Sequence, residues 1–158
     1  MKHAGADRQR EQILAWGAVA LWTGVIFILS TDSFSANETA RIIDPLLGFF
    51  FPGLDAAARQ LVHAGIRKSA HVCEYAMLGA LVWCALGIGS PERARRSLLL
   101  GISFVVSVAA LDEMGQATRS SRTGSPRDVA LDTAGGIAGI GLAIGAQKWQ
   151  RRRQEAHP

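Results

Sequence analysis

Ile13-Leu-Ala-Trp-Gly-Ala-Val-Ala-Leu-Trp-Thr-Gly-Val-Ile-Phe-Ile-Leu-Ser30 carries no charged side chain in 18 residues. At about 1.5 Å per residue, a helix of that length crosses most of a roughly 30 Å hydrocarbon core. The run is longer than the 7–15-residue apolar region typical of a secretory signal. Three further apolar blocks follow it, so it reads as an uncleaved first span. Ser69–Gly89 carries only His71 and Glu74, Ser97–Leu111 is uncharged, and Val129–Ala146 carries only Asp132. The third block is the shortest. The expected fold is therefore an all-α integral membrane protein with four transmembrane helices.

The stretch between the first two spans is not featureless. Asn37 is placed to cap a short helix, and Ile42, Ile43, Leu46, Leu47, Phe49, Phe50 and Phe51 give that helix an apolar surface. Pro45 sits awkwardly in its middle, and Pro52-Gly53 ends it. So much apolar material outside a span suggests a short amphipathic, interfacial segment. Asp55 then caps a second helix from Ala56 to Arg67, placed to run on into span two. A cytoplasmic tail (1–12), one four-span domain (13–146) and a basic cytoplasmic tail (147–158) complete the expected organisation.

Charge sets the expected orientation. Three arginines crowd into Ser90–Arg96, and Arg151, Arg152 and Arg153 follow Trp149. Basic density of this kind marks cytoplasmic loops, which puts both termini inside. Anionic inner-leaflet lipid accounts for the net charge of +4 and the pI near 9.7 without any nucleic-acid partner. Cys73 and Cys84 lie eleven residues apart on one helix, about 16 Å along its axis and too far for a mutual disulfide; they read as small apolar packing residues. No P-loop, G-x-S-x-G, C-x-x-C or H-E-x-x-H occurs, so the common nucleotide and hydrolase readings lack support.

With the N-terminus inside, span two begins outside, span three ends outside and span four begins outside. Ionisable and polar residues at those three ends then share one membrane face: Lys68, His71, Glu74 and Tyr75; Asp112, Glu113 and Gln116; Arg122, Asp128 and Asp132. Lys68, His71 and Tyr75 follow three- and four-residue spacing along one helix stripe, and Asp128 and Asp132 are four apart. Ionisable residues at membrane depth are costly and mark functional sites. Three chemistries stay open. The carboxylates and His71 form an N/O donor set suited to Zn²⁺, Mn²⁺ or Mg²⁺. His71 with Glu74, Asp112 or Glu113 suits acid–base catalysis, with Lys68 and Arg122 holding an anion. Paired with the acids, Lys68 and Arg122 instead make a structural network. A transporter is a weaker alternative, since the inner halves of the spans carry no ionisable residue.

Three ordered motifs resemble those of the VanZ-like membrane protein family. Lys68-Ser-Ala-His71-Val-Cys-Glu74-Tyr75-Ala-Met-Leu78-Gly79 resembles its K-x-x-H-x-x-E-Y-x-x-L-G signature. Asp112-Glu113-Met114-Gly115-Gln116 is similar to its D-E-x-H-Q element, with Gly115 where a histidine is usual. Arg122-Thr-Gly-Ser-Pro-Arg-Asp128-Val-Ala-Leu-Asp132-Thr-Ala-Gly135 is similar to R-x-G-x-x-x-D-x-x-x-[ND]-x-x-G. The resemblance runs from about Ile28 to Gly145. It implies a multi-pass protein of the bacterial inner membrane acting on or binding a cell-envelope component, lipid-linked or peptidoglycan-related. The family's namesake is linked to low-level resistance to the glycopeptide teicoplanin. Catalytic candidates are His71, Glu74, Asp112 and Glu113. Binding candidates are Lys68, Tyr75, Gln116, Arg122, Asp128 and Asp132. Neither a cofactor nor an oligomeric state follows from these residues.

Overall fold

The computed structural model describes residues 2–31, 36–87, 91–118 and 124–156. They form five helices: α1 (Lys2–Leu29), α2 (Ala36–Phe50), α3 (Ala56–Leu86), α4 (Pro91–Ala117) and α5 (Pro126–Ala156). Four of these, α1, α3, α4 and α5, are long and apolar enough to cross a membrane. Their lipid-facing sides carry Leu14, Leu21, Ile28, Leu99, Leu100 and Leu142, all well exposed. A water-soluble protein rarely presents that much contiguous apolar surface. In a bilayer it is the solvated face.

The helix ends follow local chemistry. The Asp55 carboxylate accepts the Ala58 N–H at 2.7 Å and caps α3. That helix continues without a break from the pre-span segment through the second apolar block, 31 residues in all. It stops at Gly87, whose φ of +60° suits a residue without Cβ. Both α4 and α5 open on proline, whose missing N–H leaves nothing unsatisfied in a first turn. Ser125 caps α5, its Oγ accepting the Arg127 N–H at 3.2 Å. The interfacial helix α2 begins at Ala36, so Asn37 falls inside it rather than at its cap, and Pro45 is accommodated within it. Leu47 turns inward, while Ile42, Phe49 and Phe50 remain exposed. His63 of α3 meets Asp44 of α2 at 2.7 Å and ties this segment to the pre-span turn.

Inside the bundle, Val19 and Ile26 of α1 pack with Tyr75, Leu78 and Val82 of α3 and Val105, Val108 and Ala109 of α4. The tightest contact is between the parallel helices α3 and α5. A Cβ on Gly79 would run into the Gly136 carbonyl, and one on Gly139 into the Ala76 carbonyl. Small residues at membrane interfaces permit this backbone-on-backbone approach. Gly141 and Gly145, also part of the small-residue spacing in span four, face open space instead. Cys73 and Cys84 are both exposed, so they do not pack inside the bundle as small apolar packing residues would.

Candidate functional site

The glycine contact between α3 and α5 fixes the centre of the site. Gly135 lies against the backbone of Val72, and this brings His71 and Asp132, their near neighbours in sequence, face to face. His71 Nδ1 stands 3.6 Å from Asp132 Oδ1. The end of α4 supplies the third member: one ligating atom each from His71, Asp112 and Asp132 lie within 4.8 Å of one another. Tyr75, one turn along α3 from His71, is completely buried beneath them.

The polar groups divide into two sets. In the first, each side chain has at least one hydrogen-bond partner. Ser30, at the end of α1, donates its hydroxyl to Asp112 Oδ2 at 2.9 Å, and Gln116 Nε2 donates to the same oxygen at 3.0 Å. Arg67 Nη2 in turn donates to Gln116 Oε1 at 3.4 Å. Glu113 Oε2 accepts the Ser125 N–H at 2.7 Å, which anchors the loop before α5 to the end of α4. Gly124 allows that loop to close: a Cβ there would collide with the Glu113 carbonyl.

The second set is buried and unanswered. Both carboxylate oxygens of Asp132, His71 Nδ1 and the Tyr75 hydroxyl have no hydrogen-bond partner among the described residues. Asp132 is 0% exposed. Leaving a buried acceptor or donor unmatched costs roughly 1–3 kcal/mol, and more for a charged group. No Lys or Arg among the described residues forms an ion pair with Asp112 or Asp132.

The other candidates are placed as follows. Glu74 is half-buried, and its backbone carbonyl accepts the Trp22 indole N–H at 2.9 Å. Asp128 occupies the first turn of α5, where a carboxylate complements the helix dipole. Lys68 is exposed and makes no ion pair among the described residues, whereas Arg67 turns inward. Helical spacing puts both within a turn of His71; which one meets α4 depends on where the end of α4 lies, and spacing cannot supply that. Arg122 lies outside the described residues. Ser30, Arg67, Trp22 and Ser125 enter the site's surroundings without having been singled out by motif. Of these, only Arg67, four residues before His71, carried a spacing signal.

A protein-family model described as VanZ/LLP1 matches residues 15–147. No curated protein and no solved structure matches the chain.

Proposed function

The chain belongs to the VanZ/LLP1 family, and on that premise we propose that it is a bacterial envelope protein whose buried polar pocket binds or modifies a cell-envelope component. The observation that carries this reading is Asp132: a carboxylate wholly removed from solvent, with both oxygens unpartnered, facing an imidazole and beneath it a phenol that are likewise unpartnered. A structural network would answer those atoms within the chain, as it does for Asp112, Glu113 and Gln116. His71, Asp112 and Asp132 lie between α3, α4 and α5 at the end where α1 finishes. With both termini cytoplasmic, that end faces the outer leaflet, where lipid-linked and peptidoglycan-related molecules are accessible. The ligand would bring an oxyanion or a polarised hydroxyl to His71, with Glu74 and Glu113 setting the local field and Lys68 and Arg67 at the rim favouring a negative group.

Deletion of the gene should change susceptibility to a glycopeptide such as teicoplanin. Full-length protein should restore it, and Asp132→Asn at equal membrane abundance should not. Restoration by Asp132→Asn would remove the pocket from the function.

A further inference from the structure

We propose that His71, Asp112 and Asp132 together hold one divalent cation, of the Zn²⁺ or Mn²⁺ type, at the base of the pocket; this rests on the pocket being the working site. The donor set is one imidazole nitrogen and two carboxylates, which suits hard-to-borderline ions and not the soft ions that select thiolates. The only cysteine nearby in sequence, Cys73, points out of the bundle. The three donor atoms lie within 4.8 Å of one another, and the His71–Asp132 pair is already at 3.6 Å. Around an ion with bonds of about 2.1 Å, adjacent ligands stand roughly 3.0–3.4 Å apart, so the widest separation must close by at most about 1.4–1.8 Å.

Charge and hydrogen bonding agree with this assignment. Two aspartates beside a neutral imidazole sum to two negative charges, and no Lys or Arg among the described residues pairs with either. Both hydrogen bonds to Asp112, from Ser30 and Gln116, fall on Oδ2, leaving Oδ1 to point elsewhere. Donors behind one oxygen that fix the direction of the other are the usual support of a metal-ligating carboxylate. Three protein ligands leave positions open for water or for an oxygen of the ligand, as in catalytic rather than structural sites. The buried Tyr75 hydroxyl, without a hydrogen-bond partner among the described residues, is a donor left over for such a ligand.

Protein purified into nanodiscs, stripped with a chelator and titrated with Zn²⁺ or Mn²⁺ should bind about one equivalent and gain thermal stability. Asp132→Asn and His71→Gln should weaken binding roughly 100-fold or more, since even supporting residues alter affinity by 10–100-fold. Asp44→Asn, at the distant His63 contact, should leave it unchanged. If the site variants do not fold, electron spin resonance of Mn²⁺ on the unaltered protein decides: nitrogen coupling from a bound imidazole supports the site, and its absence overturns it. A protein that binds no metal, yet whose Asp132→Asn variant loses the envelope phenotype, overturns the cation and leaves the pocket reading intact. Stoichiometric metal with a normal Asp132→Asn phenotype supports the cation and overturns the pocket reading.

A separate feature at the opposite end of the bundle supports a second inference. Arg95 of α4 and Lys148 and Arg151 of α5 line a cleft of about 350 Å³ whose inner wall is Trp83, Leu98 and Ile144. Trp83 Nε1 donates to Gln147 at 3.2 Å and holds the floor in place. None of the three cations has an ion-pair partner among the described residues. We infer that the cleft takes an anionic phospholipid, its phosphate on the cations and the start of an acyl chain on the apolar wall. Like charges gathered beside a membrane boundary are relieved by an anion that also carries an apolar tail. Native mass spectrometry should retain phosphatidylglycerol over phosphatidylcholine, and R95Q/K148Q should reduce that preference about tenfold. Equal retention of both lipids overturns the inference. So does stabilisation by inorganic phosphate equal to that by phosphatidylglycerol, which would mark a site for free phosphate.

Discussion

Gly135→Ala tests whether the α3–α5 contact sets the geometry of the site. A methyl at this position would sit 2.7 Å from the Val72 carbonyl oxygen and 3.1 Å from its Cα, where ordinary contact begins near 3.4 Å. Backbone cannot rotate out of the way as a side chain can, so the two helices must part by roughly half an ångström or more. Overpacking of this kind costs about 1–3 kcal/mol. For a chain of this size that corresponds to a fall in melting temperature on the order of 5 °C. The displacement is centred one turn from Asp132 and one residue from His71, so the 3.6 Å separation of that pair widens with it. Gly141→Ala is the control: nothing lies within 4 Å of its added methyl, and alanine is the better helix former. Thermal unfolding of both variants in one detergent, followed by tryptophan fluorescence, gives the comparison. Equal melting temperatures for Gly135→Ala and Gly141→Ala would refute the claim that glycine is required by close approach.

Ser30→Ala removes one of the two donors to Asp112 and should lower stability by about 0.6–1.7 kcal/mol, the span found for polar contacts between membrane helices; a double-mutant cycle with Asp112→Asn should recover most of that loss as coupling. Glu113→Ala strands the Ser125 N–H and should cost about 1–3 kcal/mol, while Glu113→Gln keeps an acceptor and should lie close to the unaltered protein in thermal unfolding. A reporter fused after Arg153 should be cytoplasmic, and one inserted near Arg59 should be extracytoplasmic. Cytoplasmic labelling at Arg59 would place the pocket at the inner leaflet and remove the proposed access from outside.

The spans were legible because the apolar blocks are long and nearly uncharged; the shortest, Ser97–Leu111, is extended at both ends by α4. The cap at Asp55 and the run of α3 into the membrane were legible for the same local reason: one carboxylate at the right offset and no helix breaker before Gly87. Topology alone gathered the ends of α3, α4 and α5, and the motif spacing named His71, Asp112 and Asp132. What sequence left open was rotation and depth. Whether Lys68 or Arg67 meets α4, and whether Cys73 packs inward or faces lipid, depends on the placement of the neighbouring helix. Periodicity within one helix does not encode that. Ser30 was illegible for a similar reason. A serine closing an apolar run looks like a boundary residue until Asp112, 82 positions later, is found beside it.

Gly115 bears on the chemistry that remains. The family pattern usually has histidine there; here a Cβ would meet nothing within 4 Å, so the position is open. His71 is then the one imidazole beside the buried carboxylates among the described residues, and any proton transfer or nitrogen ligation in the pocket falls to it. Its Nδ1 faces Asp132. At 3.6 Å the pair is wider than a hydrogen bond; a small approach lets an Nδ1–H, on a neutral ring or an imidazolium, donate to the carboxylate, and a cation shared by the two would also close it. The pairs that are complete, Ser30 with Asp112 and Ser125 with Glu113, hold α1, α4 and the α5 loop in place around the pair that is not. The scaffold and the proposed site thus differ in hydrogen bonding rather than in residue type, and the incomplete pair is where the proposed cation would sit.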